Sequence, residues 1–588
     1  MYFPALQESG RRRDITTVFG GYNHTLSCPE GQFYEMKNIS AAHYPILSVR
    51  KKRGIARTFS NFQGMLDKAG ILWIDNGKLY INGEEVEGLV ISEGQKNMVK
   101  MGAYVVIFPD NIYYNTSSKE HGHLEATTTI PEGVNITFSM CDASGAAITW
   151  HTNGYYDKYN PPKDGDYLLT KVNGKYVLKV YSETTSIWTT VSTTYTQITS
   201  VGIGKDFKPQ DGIKISLNKN IPELNDIFVN AEENGMSTNT TVIDRTDDSI
   251  TIPGIIGKVV ETSEIILTVE RKVPEMSFVT ECGNRLWGCS PDGHEIYASK
   301  LGDITNWNSF QGLADDSWAA TVGSDGEFTG AATYDGFPIF FKEDCILKIG
   351  ISSSGAHQIK ETKCRGVQKG SANSIALLNG TMFYKSSLGV CVYNGGSPYD
   401  ISDALGDVMY YKAAGGALDD CYYISMQDTS EKYHLFVYDI KNNIWCKEDN
   451  TQAFEFCRYQ DDLYFVGNDN VMYSVRGTKL DLSELREEDT IYWSIESGDI
   501  GYSSPDYKYV AKISLHMALD VGANVDFWIQ YNSSGTWEHK FNESGKGSKI
   551  FTIPLIPKRC DHFRYKISGK GDCKIHSITK TIEGGSDS

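Results

Sequence analysis

Two histidines and a glutamate stand at alternate positions in the segment His121-Gly-His123-Leu-Glu125. Imidazole nitrogens and carboxylate oxygens bind zinc, and alternate residues of a β-strand point to the same side, so one strand would present all three ligands together. The segment lies among Ser and Thr residues, a composition typical of a solvated connection. We therefore expect a linker here, and we predict no metal site in the chain.

The sequence offers little for phosphate binding or covalent catalysis. Gly202-Ile-Gly204-Lys205 lacks the third glycine and the helix that a phosphate cradle requires, so we expect a turn. The chain contains no HExxH, GxSxG or Walker motif. We predict no catalytic residue and no cofactor.

A propeller glycosidase would carry repeated Asp boxes, roughly Ser-x-Asp-x-Gly-x-x-Trp, and a cluster of arginines. The nearest segments begin at Ser290 and Ser324, and both lack this pattern. Glycoside hydrolysis needs two carboxylates at a fixed separation, and 74 acidic residues leave that pair undetermined. We therefore expect a protein that is not an enzyme, and a glycosidase is the third alternative.

Large aromatic residues gather near the C-terminus, at Trp493, Trp528, Tyr531 and Trp537. Exposed rings there would stack on sugars. Large aromatics also supply much of the buried surface of a thin β-sandwich, and this favours a core role for Trp528 and Tyr531.

The twelve cysteines form no CxxC pair, and the closest pairs, Cys282/Cys289 and Cys560/Cys573, have spacings unsuited to a tetrahedral zinc site. The first residues contain no apolar segment typical of a secretory signal, so we expect synthesis in the cytoplasm and free thiols. No stretch approaches the roughly 20 apolar residues of a membrane span.

The net charge of −18 is unevenly distributed. Residues 1–60 carry nine Lys and Arg against four acids, residues 555–588 carry seven against four, and the middle is therefore strongly acidic. An acidic body repels nucleic acid, because phosphate binding needs a positive surface. The basic start is either a solvated arm or a contact for an acidic partner.

A strand–turn–strand unit recurs along the chain and must position any site. Each copy is a run of β-branched and aromatic residues, a turn of Asp, Asn or Gly, and a second such run, the pattern of a β-hairpin. The units that begin at 284, 336, 380 and 432 are 52, 44 and 52 residues apart, close to the repeat of propeller blades. The copies are at 71–83, 103–115, 284–299, 336–349, 380–398, 432–449 and 461–475.

These units, together with 588 residues and 12 % aromatics, predict an all-β fold of several domains. We expect a β-propeller interrupted by an inserted β domain and followed by a C-terminal β-sandwich. The predicted parts are an N-terminal extended segment (1–60), the first propeller hairpins (61–125), an inserted β platform (126–270), the remaining blades (271–480) and the sandwich (481–588).

Three segments of the propeller region resemble the tail nozzle or tail-hub proteins of short-tailed bacteriophages: NRLWGCSPDGHEIYASKLGDITNWNSF (284–310), TVGSDGEFTGAATYDGFPIFFKED (321–344) and CRGVQKGSANSIALLNGTMFYKSSLGVCVYNG (364–395). The start, FGGYNHTLSCPEGQFYEMKNISAAHYPILSVRKKRG (19–54), is similar to the entry segment of those proteins. The end, IPKRCDHFRYKISGKGDCKIHSITKTIEGGS (556–586), resembles the terminal module of related phage proteins.

The resemblance implies a structural virion protein of the phage tail. Such proteins form a homo-oligomeric ring, usually a hexamer, below the adaptor and portal rings, and some contact tail fibres or spikes. Viral DNA is ejected through the ring without specific binding, which suits an acidic body. The main alternative is a host-recognition propeller at the tail tip that binds cell-surface glycans.

Overall fold

In the computed structural model, the two strands of each predicted hairpin pair within the same antiparallel sheet. The structure describes residues 10–584 except 69, 231–234, 353–354, 478–485 and 503–505. Within those residues there is no α-helix; short 3-10 helices occur at Pro222–Leu224, Ala372–Ser374 and Asp403–Leu405. No described helix is long and apolar enough to cross a membrane.

In the described part of the chain, seven sheets form the blades of a propeller. The strands of blades 1 to 3 are Phe62–Asp67, Ile71–Asp75, Lys78–Ile81 and Glu84–Glu85; Asn97–Met101, Tyr104–Phe108, Ile112–Asn115 and His121–His123; Phe278–Glu281, Leu286–Cys289, Glu295–Ala298 and Trp318–Thr321. Those of blades 4 and 5 are Gly330–Tyr334, Phe337–Lys342, Cys345–Ile351 and His357–Lys363; Ala376–Leu378, Thr381–Lys385, Val390–Tyr393 and Tyr399–Asp400. Those of blades 6 and 7 are Tyr410–Leu418, Cys421–Asp428, Tyr433–Asp439 and Ile444–Asp449; Ala453–Tyr459, Asp462–Gly467 and Val471–Ser474, with Gly54–Thr58 and Arg486–Glu487.

Tight turns set the register of the blades. Asn76-Gly77, Asp335-Gly336 and Asn379-Gly380 each place two successive residues at positive φ, the conformation that a two-residue hairpin turn requires. In blade 6 the predicted hairpin at 432–449 joins the third and fourth strands, whereas the other predicted hairpins join the second and third strands of their blades.

The ring is closed by a strand from the beginning of the chain. Gly54–Thr58 pairs with Val471–Ser474 and thereby completes blade 7. A hydrophobic cluster that includes Ala56, Trp73 and Tyr464 then fills the space between blades 7 and 1. This closure packs the last blade against the first and leaves only the short outer edge of each blade.

The inserted domain leaves and re-enters the ring at one place, because its first strand, Ala126–Ile130, pairs with its last, Leu267–Arg271. Two five-stranded sheets enclose its core, and a small sheet is attached to them. The first sheet also contains Gly212–Leu217, Met236–Thr241 and Val229–Asn230; the second contains Asp244–Thr246, Ser249–Pro253, Tyr195–Thr199, Ile136–Cys141 and Val260–Thr262; the small sheet contains Trp150–Thr152, Tyr167–Val172, Lys175–Ser182 and Ile187–Thr190.

The C-terminal β-sandwich is built from both ends of the chain. One sheet contains Arg11–Thr16, Ile39–Ser40, Leu47–Val49, Lys508–Leu519, Gly547–Pro554, Arg559–Cys560 and Cys573–Gly584. The other contains Gly21–Tyr22, Gln32–Lys37, Tyr492–Ser497, Asn524–Tyr531, Glu538–Ser544 and Phe563–Lys570. Its core is continuous with that of blades 5 and 6.

The predicted fold class is therefore confirmed: a β-propeller interrupted by an inserted β domain, with a β-sandwich. Within the predicted N-terminal extended segment, residues 10–60 supply five strands to the sandwich and the closing strand of the ring. These strands have two to six residues, too few for a clear alternating pattern, and most of their partners lie more than 400 residues away.

Candidate functional site

The predicted linker near His121 is the outermost strand of blade 2, His121–His123. Both imidazoles are exposed, and one oxygen of Glu125 instead accepts the backbone N–H of Val273 at 3.1 Å. No group of three or more potential metal ligands assembles among the described residues.

The other motifs serve local turns. Gly202, Gly204 and Lys205 lie in a turn, as predicted, and the N–H of Gly202 donates to the Asp248 carboxylate. The Ser290 hydroxyl oxygen accepts the N–H groups of His294 and Glu295, so it holds a turn in blade 3.

The C-terminal aromatics do not form one platform. Trp493 and Tyr531 are buried in the sandwich core, which agrees with the core role expected for Tyr531. Trp528 faces the other side of its strand, half-buried against His539 at a ring distance of 4.4 Å. The expected core role of Trp528 is therefore wrong, because Phe527 and Ile529 occupy the inward positions of that strand.

Burial shifts the pKa values of several cysteines and of one lysine. All twelve cysteines are free, and burial raises the pKa of Cys364 to about 11 and that of Cys421 to about 12. Burial also lowers the pKa of Lys385 to about 8, but its ammonium group donates to the Ser386 carbonyl and only 1 % of the residue is exposed.

The most elaborate polar site is an ion cluster where the chain enters and leaves the propeller. Arg50 donates two hydrogen bonds of 2.7 Å to Glu488, and Arg53 donates to Glu448 at 2.5 Å and lies 2.9 Å from Asp449. Both arginines are more than nine-tenths buried. The cluster thus joins the N-terminal segment, blade 6 and the segment that returns to the sandwich.

The charges of the cluster compensate one another. Burial alone would lower the pKa of Arg53, but the charges of Asp449 and Glu448 raise it above its ordinary value. Burial would raise the pKa values of Asp449 and Glu488, but the arginines and nearby hydrogen-bond donors hold both below their usual range. Arg53, Asp449 and Glu488 are therefore ionised at neutral pH.

A cavity of about 210 Å³ lies beside the cluster, between blades 6 and 7 and the N-terminal segment. Its lining alternates positive and negative groups, which include Arg53, Arg476, Asp419 and Glu448, with thiols from Cys421 and Cys446. Arg476 at the rim already pairs with Asp419. The arrangement contains paired charges and protonated thiols, which suit a structural contact. We call this contact between blade 6 and the N-terminal segment a joint.

A second joint fixes the inserted domain to blade 3. Asp211 is fully buried and accepts a hydrogen bond of 2.6 Å from Arg271, whose Nε donates to the Leu124 carbonyl of blade 2's exit segment. The Asn306 side chain of blade 3 makes two hydrogen bonds to the residues that flank Asp211. It donates to the Gln210 carbonyl and accepts the Gly212 N–H.

Sequence reasoning identified neither joint. The only available signal was the cluster of basic residues in 1–60, for which the counter-charges were unknown. Arg50 and Arg53 find theirs within the same chain, whereas Arg12 pairs with its neighbour Asp14 at the surface.

The fold defines the class of protein, an all-β propeller with two attached β units. No family model and no curated protein matches this chain.

Several solved structures are similar to it. One is the exo-β-1,3-galactanase of Phanerochaete chrysosporium, with 9 % identity over 51 % of this chain and 94 % of that one, and a TM-score of 0.21. Kluyveromyces lactis Hsv2 has 10 % identity over 62 % of this chain and 95 % of its own, with a TM-score of 0.25. PorZ, a surface component of the type-IX secretion system of Porphyromonas gingivalis, has 11 % identity over 89 % and 81 %, with a TM-score of 0.24.

Proposed function

We propose that the protein is a structural subunit of a phage tail. Six copies would form a ring or nozzle below the portal and adaptor rings, through which viral DNA is ejected. The sequence resemblance to nozzle and tail-hub proteins supports this proposal. The observation that carries it is the ion cluster of the buried Arg50 and Arg53. A subunit of a DNA-conducting ring must keep its propeller and sandwich in fixed relative positions, and this cluster joins them.

The acidic composition supports the same function. A chain of net charge −18 repels DNA phosphates overall, so the genome would slide past it without adhering. The protein would be made in the host cytoplasm and located in the virion, with the adaptor, the portal, and tail fibres or spikes as partners.

We also propose that the protein is not an enzyme. Protonated thiols, a buried Lys385 and carboxylates paired with arginines support this part of the proposal. Reproducible cleavage of oligosaccharides by the purified chain would overturn it in favour of a glycosidase.

Electron microscopy and native mass measurement of the purified chain test the ring. We expect particles of six chains with a central hole, and no shift of duplex DNA at 150 mM salt. A chain that stays monomeric at all concentrations, and that mass spectrometry does not find in virions, would exclude the proposal.

Two variants connect the ring to the ion cluster. Arg53→Met removes a buried member of the cluster, so we expect fewer intact rings. Lys52→Met removes an exposed ammonium 4.0 Å from Glu487 and should leave the rings unchanged. Equal ring formation by both variants would show that the cluster does not support assembly.

A further inference from the structure

Five aromatic rings cover the outer side of the small sheet in the inserted domain. The rings of His151 and Tyr155 lie parallel with centroids 3.5 Å apart, and Tyr156 packs edge-on against both at 5.5 and 5.1 Å. Tyr156 also contacts Trp188 at 5.4 Å, and Trp188 contacts Tyr181 at 5.2 Å. We call these five residues the aromatic face.

The aromatic face is separate from the hydrophobic core. Leu169 and Leu178 point inward from the small sheet and are buried in the core of the inserted domain. On the opposite side of the sheet, Tyr181 and Trp188 are partners on adjacent strands. His151 and Leu168 are likewise partners on adjacent strands. None of the five rings belongs to a core cluster of the described residues; Tyr155 is exposed and the other four are partly exposed.

A loop next to the aromatic face is ordered by its own hydrogen bonds. The Asp157 carboxylate accepts the N–H groups of Tyr159 and Asn160, both at 2.8 Å, and the Asn160 side chain donates to the Tyr155 carbonyl at 3.1 Å. Tyr155 is 50 % exposed and Tyr159 is 82 % exposed. Loops of Tyr, Asn and Gly present rigid, amphipathic contact surfaces at low entropic cost, as in antibody combining sites.

The small sheet and its loops carry five lysines, of which Lys158 lies over the Tyr159 ring and Lys171 over the Tyr176 ring. Among the described residues, no carboxylate lies within ion-pair distance of the five lysines at Lys158, Lys163, Lys171, Lys175 and Lys179. Of the nearby carboxylates, Asp164 accepts the N–H of Glu183 and Asp166 that of Lys163. Burial and the adjacent Asp166 carboxylate raise the pKa of Tyr156. Lys175 and Lys179 lie on the same side of their strand as Tyr181.

We propose that the aromatic face binds an anionic glycan. The exposed side of the Tyr155 ring would stack on the C–H groups of a pyranose, since a ring face carries partial negative charge. Unpaired ammonium groups of Lys175 and Lys179 would pair with carboxylates of the sugar chain. The site is distinct from the ring function and does not depend on it.

The charge distribution favours a glycan over a nucleic acid. A strand of nucleic acid needs a positive track along its backbone, and the chain outside this sheet is strongly acidic. A short sugar segment needs only one or two stacked rings and a few hydrogen-bonding groups.

Binding of the full-length chain to immobilised polygalacturonate tests the proposal, with neutral dextran and oligo-dT as comparison ligands. The test variants are Tyr155→Ala/Tyr159→Ala and Lys175→Gln/Lys179→Gln. The matched controls are Tyr492→Ala, which removes a 64 % exposed ring elsewhere, and Lys441→Gln, which removes an exposed lysine elsewhere. Unchanged thermal midpoints would verify that each variant is folded.

We expect the wild-type chain to bind polygalacturonate more tightly than dextran, with an affinity that falls as salt rises. Each test variant should bind at least tenfold more weakly, and each control within twofold of the wild type. Absence of binding, equal binding to dextran, or unchanged binding by the test variants would overturn the proposal. Tighter binding to oligo-dT would indicate a nucleic-acid surface. Self-association that is lost in the tyrosine variant would indicate a contact between subunits. Either result would also overturn the proposal.

Discussion

Arg53 and Glu448 form a buried ion pair between residues 395 positions apart in the sequence, with Nη2 and Oε2 separated by 2.5 Å. Arg53 directly precedes the strand that closes blade 7, and Glu448 lies in the last strand of blade 6. The pair therefore attaches the closing strand of blade 7 to the neighbouring blade 6. The closure of the ring and the attachment of the sandwich depend on the same few side chains.

Arg53→Met should strongly destabilise the protein. The substitution leaves Glu448 and Asp449 buried without their main counter-charge, a change that costs about 3–5 kcal/mol in comparable sites. The unfolding midpoint in urea should fall accordingly. Lys52→Met, at the neighbouring exposed position, should cost less than about 1 kcal/mol. Similar losses for the two variants would mean that the buried pair is not stabilising.

The loss caused by Arg53→Met should depend on pH. The folded protein holds the pKa values of Asp449 and Glu488 below their usual range, so this stabilisation is present above the pKa values of the unfolded chain, about 4. It disappears as pH falls through the lower folded values. The stability difference between wild type and variant should therefore shrink as pH falls below about 4, as measured by urea unfolding. A constant difference would contradict this account.

Gly212→Ala should damage the joint between the inserted domain and blade 3. A Cβ atom at Gly212 would lie 2.1 Å from the Asn308 carbonyl oxygen and 2.7 Å from the Ser309 nitrogen. Both are backbone atoms, which cannot move aside as a flexible side chain does. We expect a loss of about 1–3 kcal/mol, the usual cost of overpacking, and a lower thermal midpoint.

Gly350→Ala is the matched control for that substitution. Gly350 also lies in a strand, and a Cβ atom there meets nothing within 4 Å. Its thermal midpoint should stay the same or rise slightly, because alanine restricts the unfolded chain more than glycine does. A drop in both variants would point to a general intolerance of strand glycines instead of a close approach at the joint.

Local patterns were enough to predict the repeated blades. Asn76-Gly77 between two apolar runs specifies a hairpin through the φ values of two residues, and neighbouring strands of a blade are close in sequence. The closing strand Gly54–Thr58 could not be predicted in this way, because its partner begins at Val471. Pairing over such a distance depends on the whole ring and leaves no local periodicity.

The same limit applies to the sites. Arg50 and Arg53 belong to a basic run that is equally compatible with a solvated arm, and their partners are three carboxylates among 74 acidic residues. The aromatic face was missed for a related reason. Its rings come from a loop and three strands that the small sheet brings together. The aromatics near the C-terminus drew attention instead, although Trp493 is buried in the core and Trp528 is only half-buried.

Glu455→Gln should remove a destabilisation that grows with pH. Glu455 lies on the innermost strand of blade 7, and its carboxyl group accepts the N–H of Met65 in blade 1 at 3.2 Å. Burial raises its pKa to about 8, although the Met65 hydrogen bond opposes this change. The unfolded pKa is about 4.3. Between these values the folded state keeps a proton that the unfolded state releases, so stability falls as pH rises from about 4 to 8.

The glutamine variant stays neutral and still offers an oxygen to Met65. It should match the wild type at pH 5 and exceed it at pH 9 by about 1–2 kcal/mol, once screening by solvent is allowed for. Glu543→Gln changes an exposed glutamate of the sandwich and should leave the pH profile unchanged. Urea midpoints of the three proteins at pH 5, 7 and 9 decide the matter. Parallel profiles of stability against pH for wild type and Glu455→Gln would mean that Glu455, at the contact between blades 7 and 1, does not titrate in this range.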